Sequence, residues 1–187
     1  VKNYTFDLGS SINLNSSAVT SLSTGDFTYV VWAKIYSLNS GSSILLSNFN
    51  NTDGDFTFGF NNDYFGYYNP TLGWTYDTSF SLQTGFWYQF ALTRSSNTSR
   101  LYINGVTNVS TTDNYNYNSS VSPRLGSTAN STGDFDGQLA IVKTYDQALS
   151  TSEVLDSFNG IKHRFYLPEV TQTPTQSRTP TQTASVT

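Results

Sequence analysis

The 187-residue sequence contains no cysteine. Disulfides and thiolate metal sites are therefore excluded, and the fold must hold by packing and sheet hydrogen bonds. Methionine is also absent, position 1 included, which reads as a chain that begins inside a longer reading frame or after processing. Charge is scarce: 12% of residues are Asp, Glu, Lys or Arg, and the net charge is −4. With no basic footprint, nucleic acid and anionic membrane are poor partners. No apolar run approaches the ~18 residues of a membrane-spanning helix, so no membrane insertion is expected. Glutamate occurs only at Glu153 and Glu169, and the one histidine, His163, sits between Lys162 and Arg164. With no nucleophile or acid at a recognisable spacing, His163 reads as a surface residue.

Aromatic residues fill the space that charge leaves, at 16% of the chain. In this length they suit a single β-rich domain with a sizeable core. The stretch that organises it is Gly85 to Val109. Phe86, Tyr88, Phe90 and Leu92 alternate with Trp87, Gln89, Ala91 and Thr93, the period of a strand between two layers. A five-residue polar loop, Ser95 to Ser99, leads into Arg100–Ile103, and Asn104-Gly105 then predicts a tight type I′ hairpin turn.

Earlier in the chain, Tyr4–Leu8 and Ile12–Leu14 read as an N-terminal strand pair. Phe27 to Tyr36 is β-branched and aromatic on both faces, as in a central strand covered on both sides. Ile44–Ser47 is a shorter strand, and Phe56, Phe58 and Phe60 form a row directed into the core. Later, Gln138–Tyr145 is another strand. Ser150 and Glu153 then form a capping box with Leu149 and Val154 as its hydrophobic staple, opening one short helix, Thr151 to Asn159, that Gly160 is placed to end. From Pro168 the composition changes: Thr173-Pro174-Thr175-Gln176 recurs as Thr179-Pro180-Thr181-Gln182, too polar to bury a core. The organisation expected is a domain over 1–167 and a disordered linker or stalk over 168–187, with further domains of the same polypeptide beyond it.

The ordered set YTFDLG, FTYVVWAKI, ILLSNF, GFWYQFALT, SRLYINGV and FDGQLAIVKTYDQALSTSEV resembles a laminin-G-like domain of the concanavalin A-like lectin/glucanase group, over roughly residues 4 to 165. The resemblance implies an all-β jelly-roll sandwich of two antiparallel sheets with one short C-terminal helix, and a common role in binding glycans. The fold also hosts enzymes and protein-binding modules.

Glycosidases need two carboxylates across a cleft, one to protonate the leaving oxygen and one to attack or activate water. Glu153 lies in the helix cap and Glu169 in the tail, so the group's catalytic pair is absent and no enzyme is expected. For glycan binding, sugar C–H faces stack on Tyr or Trp while hydroxyls need Asn, Asp and backbone groups. Two stretches mix these types. One holds Asn61, Asn62, Asp63, Tyr67, Tyr68, Trp74 and Tyr76, and the other is Asp113–Asn118 with Tyr115 and Tyr117. The plainer alternative is that these rings are packing and the Asn residues turn formers. The resemblance also implies a candidate Ca²⁺ site at the sandwich rim, with Asp53 and Asp55 or Asp134 and Asp136 as ligands.

Seven Asn-X-Ser/Thr sequons are near the number chance gives in so Asn- and Ser/Thr-rich a chain. Cysteine-free β modules on Thr-Pro-Gln stalks resemble parts of microbial or viral surface proteins, including those of large algal viruses. That implies an extracellular, cell-surface or virion location. The function expected is a non-catalytic lectin-like module that recognises cell-wall or cell-surface glycan. The alternatives are a structural or assembly module and a polysaccharide-degrading domain.

Overall fold

Antiparallel pairing organises the strands of the described residues. A computed structural model describes residues 4–7, 10–14, 25–38, 41–50, 55–117, 121–128 and 130–166. In chain order the strands are β1 (Tyr4–Phe6), β2 (Ile12–Asn13), β3 (Phe27–Ser37), β4 (Ser42–Ser47), β5 (Thr57–Asn61), β6 (Tyr64–Asn69), β7 (Gly73–Tyr76), β8 (Trp87–Ser95), β9 (Thr98–Ile103), β10 (Val106–Thr112), β11 (Arg124–Leu125) and β12 (Asp136–Tyr145). Helix α1 (Thr151–Ile161) and a 3₁₀ turn at Lys162–Arg164 follow. The first sheet has the order β1-β12-β3-β8-β9-β10 and the second β2-β11-β4-β5-β6-β7. This is the two-sheet sandwich with one short helix that the sequence predicts. The expected stalk, residues 168–187, lies outside the described residues, as does Asp53.

Alternation decides what enters the space between the sheets. Tyr29, Val31 and Ala33 of β3, Tyr88, Phe90 and Leu92 of β8, and Phe58 and Phe60 of β5 meet there with Phe27, Phe56 and Phe65. Rings touch across the layers, with Phe65 and Phe90 centroids 4.6 Å apart and Phe60 and Phe90 5.2 Å apart. Sheets stack ~10 Å apart, and aromatic side chains are long enough to fill that gap from either side.

The off-phase residues of β3, β8 and β9 are buried as well. Val30, Ala91 and Tyr102 pack under Val154 of α1, with Leu149 beside them. Trp32 stacks on Phe158 at 5.6 Å and on Phe165 at 4.4 Å. The capping box is formed, Ser150 accepting from the Glu153 N–H and Glu153 accepting from the Ser150 N–H. Helix α1 and the segment after it therefore cover the outer face of the first sheet. The outer face of the second sheet lines a trough.

Several local expectations are corrected. Tyr4–Leu8 and Ile12–Leu14 do not pair with each other: β1 pairs with β12 in the first sheet and β2 with β11 in the second. The five-residue loop at Ser95–Ser99 is a two-residue turn, because Ser96 and Asn97 both take positive φ, 47° and 62°, as Asn104 and Gly105 do at the next hairpin. Asp26 accepts from the Ser96 N–H at 3.0 Å, and the Asn97 side chain accepts from Arg94 at 3.2 Å. Gly160 does not end α1, which runs on to Ile161 and through the 3₁₀ turn. That continuation brings Phe165 onto Trp32 and Trp87. Among the described residues no helix is long and apolar enough to cross a membrane.

Candidate functional site

Register places three rows on the outer face of the second sheet. The first runs Ser47, Thr57, Tyr68, Trp74; the second Ile44, Gly59, Gly66, Tyr76; the third Ser42, Asn61, Tyr64. Glycine is required in the middle row because the strands approach so closely. A Cβ on Gly59 would lie 2.4 Å from the Ser43 carbonyl oxygen, and one on Gly66 2.3 Å from that of Thr75. The middle of that row, at Gly59 and Gly66, is thus a floor of bare backbone, with Ile44 and Tyr76 at its ends.

On one side of this floor Tyr68 and Trp74 lie 6.0 Å apart at 54°, and Phe49 meets Tyr68 edge-on at 5.6 Å. Phe49 is placed by the turn after β4, where its N–H donates to the Ser47 hydroxyl at 2.9 Å. On the other side, the loop between β11 and β12 folds over Ile44, whose N–H donates to the Gly133 carbonyl at 2.9 Å. Gly133 takes φ +69°, and any Cβ there would stand 2.7 Å from Ile44 Cγ1. The loop is tied to itself: the Thr128 hydroxyl accepts from the Thr132 N–H at 2.9 Å and donates to the Thr132 carbonyl at 2.9 Å. Between them lies an open cavity of about 690 Å³ lined by Phe49, Thr57, Tyr68, Trp74, Thr128, Thr132 and Asp134, among others. Among the described lining residues Asp134 is the one titratable acid, and none is Lys or Arg.

The sequence-predicted residues divide by phase. Tyr68, Trp74, Tyr76 and Asn61 share this outer face, and Asn62 and Asp63 form the exposed turn at its end. Tyr67 and Tyr117 are corrected as ligand-facing candidates, since they are 0% and 2% exposed. Tyr67 sits one residue out of phase with Tyr68 and points into the core. Tyr115 is half-buried, its ring 5.0 Å from that of Tyr117.

Tyr117 belongs to a buried polar network. Its hydroxyl donates to Asp113 Oδ2 at 2.6 Å, and the Ser99 hydroxyl donates to the same oxygen at 2.8 Å. The Asn69 amide donates to the Tyr117 hydroxyl at 3.0 Å, while Asn69 Oδ1 accepts from the N–H groups of Thr71 and Leu72. Asn69 ends β6 and faces Gly73, one residue before Trp74. This network therefore anchors the turn that carries Trp74. Burial first, then the Asp113 charge, pushes the Tyr117 hydroxyl well above the ordinary tyrosine value, and burial does the same at Tyr67.

Among the described residues the candidate calcium acids stand apart from one another. Asp55 is buried and accepts from the Asn50 N–H at 2.9 Å. Asp136 accepts from the Ser37 hydroxyl, whereas Asp134 lines the trough. A Ca²⁺ needs several oxygens converging on one point, and no group of three or more His, Cys, Asp or Glu does so among the described residues. The donor set described does not fit the ion. Sequence reasoning missed Phe49, Thr57 and the Thr128–Thr132 wall, although Thr57, Gly59 and Asn61 were legible as the off-phase positions between the core phenylalanines.

The laminin G model of the concanavalin A-like lectin/glucanases superfamily matches residues 8–155. The chain belongs to that superfamily. Among solved structures, domain 4 of AbnA, an extracellular arabinanase of Geobacillus stearothermophilus in complex with arabinotriose, superposes with a TM-score of 0.65 at 21% identity, covering 81% of this chain and 74% of that one. The binding domain of Paraclostridial Mosquitocidal Protein 1 gives a TM-score of 0.63 at 18% identity, covering 84% of this chain and 42% of that one. The K499G mutant of the NanB sialidase from Streptococcus pneumoniae gives 0.64 at 18% identity, covering 82% of this chain and 27% of that one. At these identities the likeness is one of fold. No curated protein sequence matches the chain.

Proposed function

We propose that this domain binds glycan in the trough of its second sheet and does not cleave it. The observation that carries the reading is the half-buried Tyr68–Trp74 pair in a cavity whose lining also holds Ser42, Thr132 and Asp134. Rings there offer apolar faces to sugar C–H groups, and those polar side chains offer donors and acceptors to sugar hydroxyls. A binding rather than hydrolytic role is supported by Asp134 being the one carboxylate among the described lining residues, because glycoside hydrolysis calls for two flanking the scissile bond. The arabinotriose complex of the AbnA domain adds support from a domain of the same fold. Each contact is weak, so display in several copies at a cell or virion surface would raise avidity through effective concentration.

The test is titration of the chain with soluble arabinan, xylan, glucomannan and β-glucan, alongside Trp74→Ala. Saturable binding to at least one, weakened about tenfold or more by the substitution, is the expected result. Binding to none of them, or binding indifferent to Trp74→Ala, would sink the proposal.

A further inference from the structure

Two pairs of aromatic rings share this face, Tyr68 with Trp74 and Tyr64 with Tyr76. Tyr64 and Tyr76 stack at 5.5 Å with their rings 16° apart, and both are 39% exposed. They lie on the same face of β6 and β7 as Tyr68 and Trp74. Tyr64 and Tyr68 are four residues apart on one strand, which at the rise of a β-strand is about 13 Å. On β6 the outward position between Tyr64 and Tyr68 is Gly66, with Gly59 facing it on β5 and Tyr76 on β7. A second cavity, about 760 Å³, has Tyr64 in its lining together with Asp63 and Phe80. No Lys or Arg is among the described residues lining either cavity, and each carries one acid, Asp134 and Asp63.

From this geometry we infer the ligand class: an unbranched, uncharged polysaccharide lying along β6 and β7, held by internal residues on both ring pairs rather than by a terminal sugar. The inference rests on the glycan-binding reading and deepens it. The two platforms are farther apart than one sugar ring can span, so a short oligomer reaches one pair and a longer one reaches both. A chain branched at the glycine floor would meet the Gly133 loop on one side. A polyanion would meet the Asp134 and Asp63 carboxylates, and no Lys or Arg is among the described residues lining either cavity.

The experiment is calorimetric titration of the full chain with arabino-, xylo-, manno- and cello-oligosaccharides from mono- to hexasaccharide, with oligogalacturonate as the charged control. Expected is an affinity that rises about tenfold between the disaccharide and the pentasaccharide of the preferred series and then levels off, an added ring pair being worth roughly that much. Tyr76→Ala and, independently, Tyr64→Ala should abolish the rise with chain length. Trp74→Ala should weaken every length. Length-independent affinity, a rise that survives both tyrosine substitutions, or tighter binding of oligogalacturonate would overturn the inference while leaving glycan binding in place. Failure of every series to bind would overturn both.

Discussion

The Tyr117 hydroxyl donates to the fully buried Asp113 carboxylate at 2.6 Å, and through Asn69 the pair holds the turn that presents Trp74. Replacing Tyr117 with Phe removes one donor to Asp113 and one acceptor of the Asn69 amide, which keeps its longer bond to Asp113 Oδ1 at 3.3 Å. Loss of a hydrogen bond to a buried charged group costs about 1.5–3 kcal/mol. Urea denaturation of Tyr117→Phe should show a fall of that order, and glycan affinity should fall with it because the turn loosens. An unchanged midpoint would mean that the network is not holding the turn.

Alkaline pH tests the same network by another route. Burial raises the hydroxyls of Tyr29, Tyr67 and Tyr117 above the ordinary tyrosine value, so the fold holds all three as neutral phenols. Their contribution is fully present below about pH 10, where the unfolded chain also keeps its protons. Above that pH the unfolded chain releases protons that the native state retains, and stability falls, by about 1.4 kcal/mol per pH unit for each such group. Thermal melts from pH 7 to 11 should be level and then drop above 10, and Tyr117→Phe should make the drop shallower. A decline that begins well below pH 9 would contradict the assignment.

Gly66 is a third point of leverage. An added Cβ would sit 2.3 Å from the Thr75 carbonyl oxygen and 2.7 Å from the Tyr76 Cβ, so Gly66→Ala must push β7 away from β6. Overpacking of this kind costs about 1–3 kcal/mol. Because β7 is the edge strand, the displacement should show as faster amide exchange at Thr75 and Tyr76 before the core strands are affected. Unaltered exchange at both residues would mean that the edge absorbs the methyl group without moving.

Much of this was readable from the letters, and the exceptions share a cause. The phenylalanine row 56-58-60, the covered strand at 27–36 and the capping box at Ser150 and Glu153 depend on local periodicity, and they formed as such. Local chemistry could not say that β1 and β2 would join different sheets, since partner choice is made by residues more than a hundred positions away. Nor could it say that Gly160 would be carried through the helix by aromatic packing further on. Within the site, composition singled out Tyr67 and Tyr68 alike; only the phase of β6 puts one in the core and the other in the trough. Phe49 and the Thr128–Thr132 wall went unread because they reach the site from turns, where periodicity carries no information about direction.

Chelation should leave glycan affinity unchanged. The carboxylates of Asp55 and Asp136 are engaged by Asn50 and Ser37, and Asp134 has no second acid beside it in the trough. Titration in EDTA and in millimolar calcium should therefore give the same dissociation constant. A clear loss in EDTA, restored by calcium, would show that a metal assembles on residues outside those described.

Asp134 separates binding from hydrolysis. As the one carboxylate among the described residues lining the trough, it has the reach to accept from sugar hydroxyls. Asp134→Asn keeps a carbonyl acceptor but gives up the charge, and charge-assisted hydrogen bonds are roughly twice as strong as neutral ones. Affinity should drop several-fold, in the range of about 0.5–1.5 kcal/mol, and on the binding reading neither form releases products. A hydrolase would behave differently: the unsubstituted chain would release reducing ends from its polysaccharide, and Asp134→Asn would abolish that release while substrate still bound. Reducing-end assays on both forms, run over days with the polysaccharide that binds best, distinguish the two. Release by the unsubstituted chain that Asp134→Asn removes would require a second acid from outside the described lining and would replace the binding reading with a catalytic one.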